Sequence, residues 1–153
     1  MTRPRRLAAP LVGAALTLLL AACVATGPQP QDAIPPALLG SDLGILEADA
    51  GKSVDGASVD VWASFVVERD EVSADDLREV LRLVVENTHI TNIAGVSIIG
   101  QSDEVDPDSP IGANVYLDLV PAADALGLDD ADDGLGTIRV DWDDVVRMLE
   151  ETP

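Results

Sequence analysis

Ser73-Ala74-Asp75-Asp76-Leu77-Arg78-Glu79-Val80-Leu81-Arg82-Leu83-Val84-Val85-Glu86-Asn87-Thr88 is the stretch from which the rest of the chain is read. Leu77, Val80, Leu81, Val84, Val85 and Thr88 fall at i, i+3, i+4, i+7, i+8 and i+11, one stripe of an α-helix. Ser73 is a good N-cap, and Asp75 and Asp76 suit the positive end of the helix dipole. Val72 before the cap and Leu77 in the first turn make a hydrophobic staple. Arg78, Glu79, Arg82 and Glu86 take the opposite side, so the helix buries one face in a core and leaves the other in water. Burying five aliphatic side chains there contributes on the order of 10 kcal/mol gross.

Strand patterns flank this helix. Val59, Val61, Ala63, Phe65 and Val67 recur at period two, with Asp60, Trp62, Ser64, Val66 and Glu68 between them. Ile93 to Ile99 is apolar and β-branched around Gly95, a second strand. Gln101 to Pro110, with four acidic residues beside Pro107 and Pro110, reads as an exposed turn region. Ala113, Val115, Leu117 and Leu119 alternate as a third strand. Pro121 to Gly127 suits a short helix, with proline in its first turn and glycine past its end. Leu128 to Gly136 is an acidic loop and Thr137 to Val140 a short strand.

Asp141 is then expected to cap a final helix whose stripe is Trp142, Val145, Val146 and Leu149, with Val140 and Val145 as its staple. The order β-α-β-β-(α)-β-α predicts an α+β fold. Its small mixed, mostly antiparallel sheet carries two main helices packed on one face.

The chain has 153 residues, 47% of them apolar, enough for one domain and too apolar for wholesale disorder. Its formal charge is -19, from 28 acidic residues against nine Lys and Arg. Three of those nine, Arg3, Arg5 and Arg6, lie before Cys23, and no acidic residue does. Beyond Cys23 the basic residues are Lys52, Arg69, Arg78, Arg82, Arg139 and Arg147, too few to neutralise a nucleic-acid backbone. The same charge keeps the domain off anionic lipid, and it is compatible with a protein partner of basic surface. A single Cys and a single His exclude an intrachain disulfide framework and ordinary His/Cys zinc sites.

The first residues have a different character. Three arginines are followed by the charge-free run Leu7 to Ala22, with Leu18-Leu19-Leu20 near its end and small Ala21 and Ala22 before Cys23. That layout, basic then apolar then small, is the layout of a secretory signal peptide. Leu20-Ala21-Ala22-Cys23 resembles the lipobox of bacterial lipoproteins, the resemblance covering the leader alone. It implies that Cys23 receives a diacylglycerol thioether, that a lipoprotein signal peptidase cuts before Cys23, and that the new amino terminus is open to acylation. Two or three acyl chains suffice for stable attachment.

The expected location follows: the cell membrane, lipid-anchored, on its extracytoplasmic side. The competing readings are an uncleaved span over Leu7 to Thr26, whose strongly apolar part Leu11 to Ala22 is short of the required ~20 residues, and an ordinary buried cysteine. Arg5-Arg6 alone argues for twin-arginine export.

Val24 to about Gly40 holds Pro28, Pro30, Pro35 and Pro36 and predicts an extended, solvated spacer reaching about 50 Å. Only Ile34, Leu38 and Leu39 offer it anything to pack. The domain map is therefore a signal peptide over 1–22, a lipidated Cys23 with a Pro-rich tether over 23–42, and a single acidic α+β domain over 43–153.

No catalytic set emerges. His89, the one imidazole, stands just past the end of the Ser73 helix, where a ring caps carbonyls. No Gly-x-Ser-x-Gly turn presents a nucleophile. Acidic residues are so abundant that a carboxylate pair, as a hydrolase needs, carries no signal. Of the four aromatics, Trp142, Phe65 and Trp62 are accounted for by packing, leaving Tyr116.

Asp129-Asp130-Ala131-Asp132-Asp133-Gly134 has the acidic density of a calcium loop. With Gly134 in the sixth place of an EF-hand, however, Ala131 and Val140 fall where the third and twelfth ligands belong. A looser, weak calcium site there, or at Asp103, Asp106 and Asp108, is the alternative to a solvated acidic loop. The expectation is a non-catalytic binding or assembly module with no cofactor. A calcium-responsive module is the alternative, with a carboxylate hydrolase behind it.

Overall fold

A computed structural model of the chain describes residues 27–109, 111–128 and 136–151. The elements are, in order, α1 (Pro30–Leu39), β1 (Ile45–Asp55), β2 (Ser58–Val67), α2 (Ala74–Glu86), β3 (Ile93–Val105), β4 (Asn114–Tyr116), α3 (Val120–Ala125), β5 (Thr137–Asp141) and α4 (Trp142–Glu150). The fold is α+β, with a mixed, mostly antiparallel five-stranded sheet. β1 and β2 form an antiparallel hairpin, and β2 pairs with β3 in parallel through the α2 crossover. The other edge of β3 is shared, with β5 running antiparallel along Gly95–Ile99 and β4 joining at Gln101 and Val105.

The α2 stripe behaves as its spacing requires. Leu77, Val80, Leu81 and Val84 are buried, and Val85 and Thr88 are half-buried at its margin. The start is a full capping box: the Asp76 N–H donates to Ser73 Oγ at 3.1 Å, and the Ser73 N–H donates to the Asp76 carboxylate at 3.2 Å. On the sheet, Ala50, Val61, Ala63, Phe65, Val67, Val96, Ile98, Ile138 and Val140 fall on one face by register. They join the buried residues of all four helices in a single cluster. The helices therefore form one layer, and the core is the space between that layer and one side of the sheet.

From Pro30 on, the expected tether is not an extended spacer, and its first residues, 23–26, lie outside the described residues. Pro30–Leu39 is helical, and its stripe of Pro30, Ile34 and Leu38 is buried in the core. Pro30 sits in the first turn, where its missing N–H is no loss. Pro35 and Pro36 lie inside the helix and each remove a backbone hydrogen bond, at about 3 kcal/mol apiece by the usual interior figure. Full burial of Ile34 and Leu38 returns roughly 3–6 kcal/mol, which offsets much of that figure. The i, i+4 pair decides the conformation; Leu39, the third apolar residue, stays 47% exposed.

β1 is likewise an addition to the expected order, so the folded unit begins before residue 43. Ile45-Leu46-Glu47-Ala48-Asp49-Ala50-Gly51-Lys52 has little intrinsic strand preference. Its conformation comes from a long register with β2, closed by a two-residue turn in which Gly56 has φ +61°, as primed hairpin turns require.

Three finer expectations shift. β3 runs through the supposed turn region as far as Val105, and β4 contracts to three residues. In α4 the buried residues are Val145 and Met148, with Trp142, Val146 and Leu149 only half-buried. Asp141 occupies the N-cap position without a side-chain capping bond, and it is also the last residue of β5, in register with Gly95. The short α3 is as expected, ending before Gly127 at φ +70°.

Candidate functional site

Every helix of the described residues lies on one side, and among those residues none covers the second face of the sheet. The register builds it from rows running across the strands. Gly51, Trp62, Ser97 and Arg139 make one row, and Asp49, Ser64, Ile99 and Thr137 make the next. Glu47, Val66, Gln101 and Tyr116 make a third. Below the first row lie Ser53, Asp60, Gly95 and Asp141.

The pattern follows from strand alternation. The residues interleaved between the buried valines and alanines of β2 must point the other way. Trp62, attributed from sequence to packing within the strand, belongs to this open face and is half-buried there. Its indole lies against Gly51, where an added Cβ would come within 2.7 Å of the ring. Phe65 is indeed core, and Trp142 packs against the core's edge. Val66 is 7% exposed despite facing outward, shielded by its neighbours in the third row, and Tyr116 is 48% exposed.

The face is acidic. Glu47, Asp49, Asp60 and Asp141 stand on it with a single guanidinium, that of Arg139, which is bonded to Asp60 at 3.0 Å. A shallow depression of about 120 Å³ is lined by Glu47, Asp49, Ser64, Val66 and Gln101. It combines carboxylates, a hydroxyl, an amide and an apolar floor, a set that recognises cationic and hydrogen-bonding groups.

Two further hollows lie among the helices. A groove of about 320 Å³ between α2 and α4 has Val85, Val146 and Leu149 on its walls with Arg82 and Glu86 at its rim. Arg82 is held by Glu79 and Glu86 from the same helix. These hydrogen bonds raise the Arg82 pKa above its already high ordinary value, and the Arg82 guanidinium holds the Glu79 carboxyl below the usual range. A cleft of about 240 Å³ carries Arg78 and Arg147, each ion-paired within its own helix, to Asp75 and Asp144. Both hollows thus present cations already neutralised by neighbours.

Cys23 and its leader lie outside the described residues, as do Asp129 to Asp133 of the acidic loop. Asp106 Oδ1 accepts the Asp108 N–H at 2.9 Å. Among the described residues no group of three or more His, Cys, Asp or Glu side chains is placed to hold a metal ion. His89 is exposed, and the carbonyls at the end of α2 are capped instead by Asn87 Nδ2 on Leu83 O and Thr88 Oγ1 on Val84 O. Among the described residues no helix is long and apolar enough to cross a membrane. Comparison with known proteins found no matching family model, no matching curated protein and no matching solved structure.

The open sheet face was missed from sequence because its signal is spread over five strands. The period-two reading of β2 contained half of it, in Trp62, Ser64 and Val66. The other half needed the pairing of β1, β3, β4 and β5.

Proposed function

We propose that the chain is a bacterial lipoprotein, moored through acyl chains on Cys23 to the extracytoplasmic face of the cell membrane, where its acidic α+β domain works as a non-catalytic binding module. The mooring rests on Arg3, Arg5, Arg6, the charge-free run Leu7 to Ala22 and the Leu20-Ala21-Ala22-Cys23 sequence. The binding role rests on one observation, a sheet face that no helix among the described residues covers and that sets Trp62, Ile99 and Tyr116 among Glu47, Asp49 and Asp141. Aromatic and aliphatic anchors surrounded by carboxylates suit a protein partner with a basic surface. Charge speeds encounter with such a partner, and the Trp62 ring supplies contact area at little entropic cost.

The test is photocrosslinking from Ser64 and Ile99 in living cells, with a probe at the helix-borne Glu86 as control. Expected is a crosslink to a basic protein from the sheet positions alone, weakened by Trp62→Ala. Crosslinks from Glu86 but from neither sheet position would contradict this choice of face.

A further inference from the structure

The place where the described chain begins bears on how the domain meets a bilayer. Gly27 packs directly on His89, to the point that a Cβ there would come within 2.7 Å of the His89 Cβ. Two residues on, Gln29 Oε1 accepts a hydrogen bond of 2.7 Å from Lys52 Nζ. α1 follows at once and is sealed into the core by Ile34 and Leu38. The amino-terminal strand of chain is thus fixed at one end of the domain. That end holds the β1–β2 turn at Gly56, the loop after α2, and the beginning of β3, where the Val59 N–H reaches Asn92 O.

From Cys23 to Gly27 there are four residues, which span at most about 14 Å even when fully extended. The 13-residue β3 leads from this end to Val105 at the other, roughly 40 Å away. A chain so short cannot let the domain turn over.

The net charge that opposes contact between the domain as a whole and anionic lipid is unevenly distributed, in the same sense as the tether. The far end carries Glu68, Asp70, Glu71, Glu104, Asp106 and Asp108, and the Arg69 guanidinium there is bound to Asp76 at 3.1 Å. Every arginine among the described residues is ion-paired to a carboxylate, whereas Lys52 at the near end is bonded to the neutral Gln29. Val54, beside the turn, is 65% exposed. Against an anionic headgroup layer the far end is repelled, whereas the near end, where Lys52 is set against Asp55 of the turn, is closer to neutral and offers the exposed Val54 side chain.

We infer that the end formed by the β1–β2 turn and the His89–Asn92 loop is a membrane-facing surface, seated on phospholipid headgroups, which holds the acidic end outward and the strands steep to the bilayer. This rests on the anchoring of Cys23 proposed above.

The experiment uses the full chain, purified from a lipidating host and reconstituted into vesicles containing phosphatidylglycerol and a headgroup-nitroxide lipid. A maleimide fluorophore is attached at Ala57→Cys or at Asp108→Cys, since a lipidated Cys23 offers no free thiol. Expected is flotation of both proteins with the vesicles and at least about threefold stronger quenching at position 57 than at 108. Flotation with equal quenching, or stronger quenching at 108, overturns the orientation alone. Failure of the wild-type chain to float, or undiminished flotation of Cys23→Ala, overturns the anchor and the orientation with it.

Discussion

The indole of Trp62 lies over Gly51, its antiparallel partner on β1, with three ring atoms within 2.8 Å of where a Cβ on Gly51 would be. An edge strand with poor strand preference is thereby covered by the largest side chain of its neighbour, and the absence of a side chain at Gly51 sets the position of the ring on the open face. Gly51→Val is expected to lift the ring from the sheet and to destabilise the domain by about 1–3 kcal/mol. In a Trp142→Phe background, where Trp62 is the sole tryptophan, its selectively excited emission should shift to the red and the urea midpoint should fall. Unchanged emission would mean that the ring does not rest on Gly51.

The segment before β1 is part of the fold, and its adjacent leucines, one buried and one exposed, allow a sharp comparison. Leu38→Ala is expected to lose about 2–5 kcal/mol, the range for truncating a fully buried leucine. Leu39→Ala, next in sequence and 47% exposed, should change stability by no more than about 0.5 kcal/mol. Denaturant titration of the two variants checks this. Equal, small effects would restore the segment to a spacer.

The Glu79–Arg82–Glu86 cluster on α2 gives a pH dependence of defined sign. Arg82 holds the Glu79 pKa below its ordinary value in the folded chain, so the unfolded chain binds the proton more readily. The contribution is therefore fully present above the usual glutamate range, near 4.3, and is lost as the pH falls through the depressed folded value. The pair is substantially exposed, so Glu79→Gln should cost only about 0.3–0.5 kcal/mol at neutral pH. The difference from wild type should shrink below pH 4 and in high salt. A difference that grows on acidification would contradict the assignment.

Much of this was legible in the chain because the signals were local. Ser73, Val72 and the Leu77–Val84 stripe define α2 within one segment, and the alternation of Val59 to Val67 defines β2. α1 was hidden because four prolines speak for an extended chain, and only the burial of Ile34 and Leu38 in the assembled core, chiefly beside β1, reverses that. β1 was hidden for a similar reason: Ala48, Ala50 and Gly51 become a strand only when β2 lies alongside. The candidate face suffered most, since Glu47, Ser64, Gln101 and Tyr116 become neighbours through pairings between four strands. Charge and the Cys23 sequence, by contrast, need no tertiary structure to be read.

Attachment is the claim on which the proposed role and orientation both depend. The measurement that reaches it most directly is intact-mass and peptide mass spectrometry of the chain recovered from native membranes. Expected is a polypeptide beginning at Cys23 whose first residue carries a diacylglyceryl thioether, with or without a third acyl chain. A chain that still begins at Met1, or one whose Cys23 thiol is free, would contradict it.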